Sequence, residues 1–561
     1  MITDFWSNKR PAGFSETVDF QQYNSLQDVI TKAFSEFGER PAFTCLGKTV
    51  TYGEVDRLSL AFATWLQNHT SLKPGDAFAI QLPNLLQYPV AVYGALRAGL
   101  VLVNTNPLYT LTELKHQLVD SGAKAIICLE AGLELVAEAS AEAQVEQVIT
   151  TGALDLVAGF SAGTGKVVDG LVVTTLGEVL SAENPQPYIT PEASSQSSLC
   201  LLQYTGGTTG VAKGAMLTHG NIIANVVQMC DGVYQEVNDA GELLIKPGEQ
   251  VVVAPLPLYH IYSFTMNLML YPSRGDHTIL IPNPRDIDQF IDAIQPFPFT
   301  LLVGLNTLFA GLMAHPRFKE CDFSRFSMTL SGGTALQLDI ARRWEAMTGS
   351  PVIEGFGLTE TSPIVCSGPL GEGRVKPGSV GMPVPATELK TVREDGTTAG
   401  VNEPGELCVR GPQVMAGYWQ RPEATAEVID TEGWFHTGDV AVIDEAGYVS
   451  IVDRLKDMIL VSGFNVYPNE VENVASHCPG VQLCAAIGVP DDKTGEAVRL
   501  FVVRSDAALT EETVIQHCRQ HLTGYKIPHQ IVFRDSLPMT AVGKVLRKEL
   551  RKEAQEVAEA L

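Results

Sequence analysis

The chain has 561 residues, several times the length of a typical domain, so two or more domains are expected. Apolar residues make up 45% and charged residues 18%, with a mean hydropathy of +0.09, which excludes a disordered or fibrous chain. The 64 acidic residues outnumber the 39 basic ones to give a net charge of −25. A sequence-tolerant nucleic-acid binder needs the opposite sign, so no nucleic acid is expected as a partner, and the acid reads as a solvated surface.

Met1-Ile-Thr-Asp-Phe-Trp6 carries an acid where a secretory leader carries bases, so a cytoplasmic protein is expected. The ten cysteines form no CxxC pair, and Cys478 and Cys484 beside His477 match no common zinc spacing. Reduced, mostly buried thiols follow. Strands and helices alternate through the first four-fifths. Thr110-Leu-Thr-Glu113 is a capping box opening a helix with Leu114 and Leu118 on one face and a stop at Ser121-Gly122. Apolar runs at Ala125–Cys128, Val251–Ala254, Thr300–Val303, Met328–Leu330 and Val352–Ile353 predict strands of covered parallel sheets. Such sheets gather ligand-binding loops at the carboxyl ends of their strands. The Ala/Glu-rich stretch from Ala131 to Gln147 reads as an exposed helix. Val251–Tyr271 is the most apolar long window, but Pro255, Pro257, His260 and Asn267 make it a poor membrane span.

Past about Lys376 the pattern turns antiparallel. Val440–Ile443 and Tyr448–Val452 flank Asp444-Glu-Ala-Gly447 as a hairpin. The charged stretch Asp453–Asp457 follows, then a tail with strands at Ala485–Val489 and Leu500–Val503 and a last helix from about Val545. The expected divisions are residues 1–453 and 458–561, with the boundary at 454–457.

Tyr204-Thr-Gly-Gly-Thr-Thr-Gly-Val-Ala-Lys-Gly214 carries the most chemistry. Gly206, Gly207 and Gly210 free backbone N–H groups to face an anion, Thr205, Thr208 and Thr209 add hydroxyls, and Lys213 adds positive charge. Together they suit a pyrophosphate. No Gly-Lys-Ser/Thr closes the loop, so it is not a Walker A loop.

This loop resembles the phosphate loop of the adenylate-forming superfamily, which unites acyl-CoA synthetases, luciferases and peptide-synthetase adenylation domains. The superfamily's other segments follow in order: Leu256-Pro-Leu-Tyr-His260, Leu330-Ser-Gly-Gly333, Glu354-Gly-Phe-Gly-Leu-Thr-Glu360, Gly433-Trp-Phe-His-Thr-Gly-Asp439, Ile451-Val-Asp-Arg-Leu-Lys456, Gly463-Phe-Asn-Val-Tyr-Pro468 and Gly543-Lys544. Pro83–Pro89, Asn283–Ile287 and Asn306–Phe309 are similar to the bacterial long-chain fatty-acid–CoA ligase branch. The resemblance implies a large N-terminal α/β domain with covered parallel sheets and a distorted barrel-like part, then a small mobile α+β domain.

The implied reaction has two steps: ATP and a fatty acid give acyl-AMP and pyrophosphate, and coenzyme A then displaces AMP. By resemblance, Lys544 reaches the α-phosphate and the substrate carboxylate. His260 borders that carboxylate and the later path of the thiol. Glu360, helped by Thr205, holds Mg²⁺, and Lys213 grips phosphate. Tyr204, Gly333, Glu354, Gly355, Phe356 and Thr359 line the nucleotide. Asp439 accepts from the ribose hydroxyls with Arg454 beside it. Lys456 is the hinge and a nucleotide neighbour, Gly463 and Phe464 line the coenzyme A tunnel, and Tyr259, Val303, Gly304 and Leu305 border the acyl chain. Many members carry Tyr at the Phe356 position, so any role for that hydroxyl is absent here.

Without the resemblance, Glu360 reads as a helix-start acid, Asp439 as turn chemistry, Lys544 as a solvated helix-start lysine and His260 as a core histidine. Rival functions keep adenylation with a medium-chain or aryl acid, or pass acyl-AMP to another acceptor. A nucleotide- or lipid-binding protein without turnover fits poorly, because Lys544, Glu360, Asp439 and Lys213 are all present. Weak peripheral membrane contact and a homodimer accord with the family, although no basic amphipathic anchor is evident.

Overall fold

Two large sheets grow from the short apolar runs, and a period of two sets their packing. In one, Phe78, Ile80 and Leu102 face a shared core; in the other, Val252, Ala254, Leu301 and Val303 face the same core. The alternate residues Ala79 and Val103, and Val253 and Leu302, turn to separate outer cores. Helices Leu26–Phe37, Tyr52–His69 and Gln87–Arg97 contribute to the shared core. Both sheets are therefore covered on both faces, as the uninterrupted apolar runs require. The computed structural model describes residues 3–160, 166–168, 170–191, 194–205, 212–333, 335–371, 373–491, 493–540 and 543–559.

In the first sheet, Pro41–Cys45, His277–Leu280, Val251–Ala254, Leu301–Gly304, Met328–Gly332 and Val352–Gly357 run parallel as successive neighbours. Their carboxyl ends deliver Leu256–His260, Leu305–Asn306, Gly333 and Thr359–Thr361 to one edge, where the rule for parallel sheets puts a ligand. The second sheet centres on Val101–Asn104, Ala77–Gln81, Ala125–Leu129 and Gln147–Thr151 and continues through Leu199–Thr205 into an antiparallel strand, Lys213–Thr218.

Most sequence expectations hold, with shifts of a residue or two. Thr110 caps helix Leu111–Ser121 with a capping box, and Gly122 ends it at φ +63°. The strand expected at Thr300–Val303 spans Leu301–Gly304. The stretch from Ala131 is not simply an exposed helix: helix Leu133–Ser140 buries Val136, Ala137, Ala139 and Ser140, and the chain re-enters the sheet at Gln147. All ten cysteines are free, and nine are buried. Among the described residues, no helix is long and apolar enough to cross a membrane.

The region expected to be barrel-like is a four-stranded antiparallel sheet, ordered Glu388–Val392, Gly405–Arg410, Phe435–Ile443 and Val449–Arg454. A short turn, Leu455–Asp457, then leads into the C-terminal sheet. There Gly495–Arg504 lies between Val481–Asp491 and Ile459–Val461 and also pairs in parallel with Gln530–Arg534. That sheet has cores of its own, one against helices Pro468–Ser476 and Glu511–His521 and one against the last helix, Arg547–Glu559.

Helix Gln87–Arg97 crosses helix Tyr52–His69 at Gly94, where an added Cβ would lie 2.6 Å from a ring carbon of Phe62. A Gly94→Ala variant should therefore lose about 1–3 kcal/mol to overpacking, outweighing the roughly 1 kcal/mol gained in helix propensity. Thermal unfolding should show a lower midpoint, with partial recovery when Phe62→Leu is added.

Candidate active site

At the carboxyl edge of the first sheet, Met328–Gly332 and Val352–Gly357 present a strip of bare glycine backbone, the slot, bounded by Tyr262. Gly332 is the register partner of Gly355, and a Cβ at Gly332 would sit 3.3 Å from the Gly355 carbonyl and 3.4 Å from the Tyr262 ring. Tyr262 is a wall that the sequence did not single out; its only signal was its place two residues after His260. Phe356 is half-buried against the core of the antiparallel sheet. Glu354 lies beneath the slot, where its Oε1 accepts from the Gly378 N–H at 2.9 Å. Burial pushes this carboxyl up to about 7, so its visible work is to hold the surrounding loops.

Lys544 arrives from the C-terminal domain on a tight turn. The Thr540 N–H donates to the Lys544 carbonyl at 2.7 Å, and the Lys544 N–H donates to Thr540 Oγ1 at 3.0 Å. Gly333, at φ +91°, leaves the space the lysine fills: a Cβ there would stand 3.2 Å from Lys544 Cε and 3.3 Å from Nζ. Gly543, at φ +79°, brings the same turn against Thr307 and Leu305. The ammonium is thus buried between domains. Burial, then the Arg454 charge, pulls its pKa down to about 8, while Asp439 and Glu360 oppose that fall. His260 starts the helical stretch after the apolar strand, and its Nδ1 accepts from the Tyr262 N–H at 3.4 Å. Burial and the nearby Lys544 push His260 down to about 3, so its imidazole is neutral.

Asp439, on strand Phe435–Ile443, is buried, and its Oδ1 receives Arg454 Nε at 2.9 Å. The other oxygen, Oδ2, has no hydrogen-bond partner among the described residues. Burial raises this carboxyl to about 6, against the pull of Arg454, Lys544 and Lys456. A buried acceptor without a donor is costly, so Oδ2 fits a ligand hydroxyl. Glu360 takes a 2.8 Å hydrogen bond from the Tyr418 hydroxyl, and Lys213 Nζ lies 5.0 Å from the centre of the Tyr418 ring. Tyr418 therefore organises two expected site residues and was missed from sequence, because only strand pairing between Ala215 and Tyr418 brings it there. Thr205 and Lys213 are register partners at the ends of the glycine-rich loop. Gly206, Gly207, Thr208, Thr209 and Gly210 lie outside the described residues.

Other expected positions do different work in this arrangement. The Tyr204 hydroxyl is committed to Asp120 Oδ2 at 2.7 Å. The missing side chain of Gly304 makes room for Phe309, whose ring would lie 2.5 Å from an added Cβ, so that space belongs to the protein's own core. Tyr259 is half-buried, with its carbonyl accepting from Gln203, while Val303 and Leu305 are buried and Thr359 begins the turn carrying Glu360. Phe464 is 56% exposed and stacks on Tyr525, with ring centres 4.8 Å apart, and a Cβ at Gly463 would meet open space. Lys456 is half-buried in the turn between domains, and burial lowers its pKa.

A slot for a flat ring, an orphaned buried carboxylate oxygen and a lysine carried in by a second domain describe a two-domain enzyme that binds a nucleotide. Residues 30–419 match the model of the AMP-binding enzyme family, and residues 470–544 match that of the AMP-binding enzyme C-terminal domain. The chain belongs to this family, the adenylate-forming superfamily. It is 45% identical over 564 residues to a long-chain-fatty-acid–CoA ligase of Escherichia coli O157:H7, covering 98% of both chains. ATP-bound MatB from Rhodopseudomonas palustris superimposes with a TM-score of 0.82 at 30% identity, over 95% of this chain and all of that one. Apo MatB gives 0.73 at the same identity, again over 95% of this chain and all of that one.

The two shifted charges set a pH profile. Asp439 must be ionised to accept a hydroxyl bond, and Lys544 must be protonated to stabilise negative charge. The kcat/KM for pyrophosphate release should therefore rise through about 6 and fall through about 8. Lys544→Arg should lose the alkaline fall, and Lys544→Met should lower the rate about 10²–10³-fold.

Proposed function

We propose that the protein is an AMP-forming long-chain fatty-acid–CoA ligase. The observation that carries this reading is Lys544, buried between the domains against Gly333 and within the fields of Asp439, Glu360 and Arg454. In the first half-reaction a fatty-acid carboxylate attacks the α-phosphate of ATP, and pyrophosphate leaves. Both reactants are anions, so the main task is to lower their repulsion and hold the attack in line. Lys544 supplies positive charge where the two meet, and it does so only when the small domain is docked, which favours the transition state over ground-state binding. His260, neutral, lies beside the carboxylate. The slot of Gly332, Gly355 and Tyr262 receives the adenine, and Asp439 Oδ2 accepts a ribose hydroxyl while Arg454 fixes the other oxygen.

Glu360 and Thr205 suit Mg²⁺, a hard ion that takes one or two protein oxygens with waters and phosphates and offsets phosphate charge. Tyr418 fixes Glu360 for that purpose, and Lys213 stands over the same ring. In the second half-reaction the thiol of coenzyme A attacks the acyl carbon and AMP leaves. With Lys544 docked against Gly333 and Phe464 exposed on the small domain, the proposed second step turns that domain about Lys456 to exchange one set for the other. The higher TM-score to ATP-bound than to apo MatB supports reading the present arrangement as the adenylating one. The long-chain assignment rests on the similarity to the E. coli ligase.

Substrate class is tested by coenzyme A-dependent turnover with oleate, octanoate and 4-coumarate; preference for octanoate or coumarate would overturn the long-chain assignment. Tyr418→Phe should raise the Mg²⁺ concentration for half-maximal rate about tenfold, the worth of a hydrogen bond to a charged group. A lock tests the rotation. Thr307 Oγ1 lies 3.1 Å from a Cβ at Gly543, close to the ~3 Å between a sulfur and the far Cβ of a disulfide. Oxidation of the Thr307→Cys/Gly543→Cys protein should leave ATP–pyrophosphate exchange at the level of its own reduced form, abolish nearly all acyl-CoA formation, and be reversed by dithiothreitol.

A further inference from the structure

In the motif Trp434-Phe-His-Thr-Gly-Asp439 the nucleotide site uses only the last residue, and His436 points to separate chemistry. Its strand pairs with Gly405–Arg410, and Cys408 is the register partner of His436. Glu406 is two residues before Cys408, and alternation along a strand sets such positions on one face. A register irregularity between them draws the side chains together. His436 Nδ1 lies 2.9 Å from Glu406 Oε2 and 3.4 Å from Cys408 Sγ, and the three donor atoms all lie within 4.8 Å of one another. Among the described residues this is the one group of three His, Cys, Asp or Glu side chains so arranged.

We propose that Glu406, Cys408 and His436 form a binding site for a borderline-soft divalent cation of the zinc class, separate from the nucleotide site. Tetrahedral bonds of zinc length put nitrogen, oxygen and sulfur donors about 3.3–3.6 Å apart. The observed 2.9 and 3.4 Å separations therefore need only slight opening to admit the ion. The surroundings already orient two of the ligands. In the empty site Nδ1–H donates to Glu406; Asp430 Oδ2, 3.6 Å from Nε2, is near enough to take the ring proton with a small shift once Nδ1 turns its lone pair to the metal. Glu406 Oε1 accepts from the Gly438 N–H at 3.1 Å, which fixes the carboxylate while Oε2 faces the site. Cys408 is buried, whereas the His436 and Glu406 side chains keep partial solvent contact, so water can enter a fourth position. A thiol and an imidazole favour zinc over magnesium, which prefers an all-oxygen shell.

The test uses the full chain, stripped of metal and titrated with Co²⁺ as a spectroscopic probe. One equivalent should bind with a thiolate-to-cobalt charge-transfer band in the near ultraviolet, and zinc should displace it while millimolar Mg²⁺ does not. Cys408→Ser should abolish the band, and Cys484→Ser, which changes a buried thiol of the C-terminal domain, should retain it. Folding of each variant is checked by its thermal midpoint; if Cys408→Ser does not fold, His436→Gln and Glu406→Gln carry the test, each with a weakened or absent band. No band in the wild-type protein, or an undiminished band in these folded variants, would overturn the site and leave the trio as an ordinary cross-strand polar contact.

Discussion

The docking of one ammonium, Lys544, across a domain boundary is the constraint on which the site depends. An isolated buried lysine is costly, and its charge persists here because Asp439 and Glu360 oppose the effects of burial and of Arg454. Each partner comes from a different element: Asp439 from the antiparallel sheet, Glu360 from the turn after a parallel strand, and Lys544 from the small domain. Gly333 is left without a side chain where the lysine lies, and Gly543 adopts the backbone that delivers it. The charge arrangement joins groups of both domains, so under the proposed rotation catalytic competence and domain arrangement are one variable.

Much of this was legible in the sequence. Apolar runs located the parallel strands, since a sheet covered on both faces must be apolar at successive positions, and the segments carrying Lys544, Asp439, Glu360 and His260 stood in the superfamily's order. What stayed hidden depended on long-range pairing. Tyr418 meets Glu360 because two short strands pair across more than two hundred residues. Tyr262 walls the slot through the approach of Gly332 and Gly355. Gly304 likewise owes its missing side chain to a contact invisible in sequence, the ring of Phe309 in the following helix.

The antiparallel sheet has two tasks at opposite ends of a four-residue stretch. Asp439 and Arg454 are register partners on adjacent strands, so the proposed ribose acceptor and its companion are fixed by backbone pairing. His436, three residues earlier, faces Glu406 and Cys408 instead. Glu406 reaches the Gly438 N–H, so the two sets share one short piece of backbone.

The turn between the domains also holds a contact whose effect is mechanical. Asp457 receives Arg551 at 2.8 Å and Arg547 at 3.7 Å, and Arg547 in turn grips Glu472 at 2.7 Å. Both arginines belong to the last helix, which begins three residues after Lys544. Asp457, beside the proposed pivot Lys456, and the lysine turn are therefore tied together through that helix, like a crank keyed to its shaft. Under the proposed rotation, withdrawal of the ammonium and opening of the thiol's path are then one stroke.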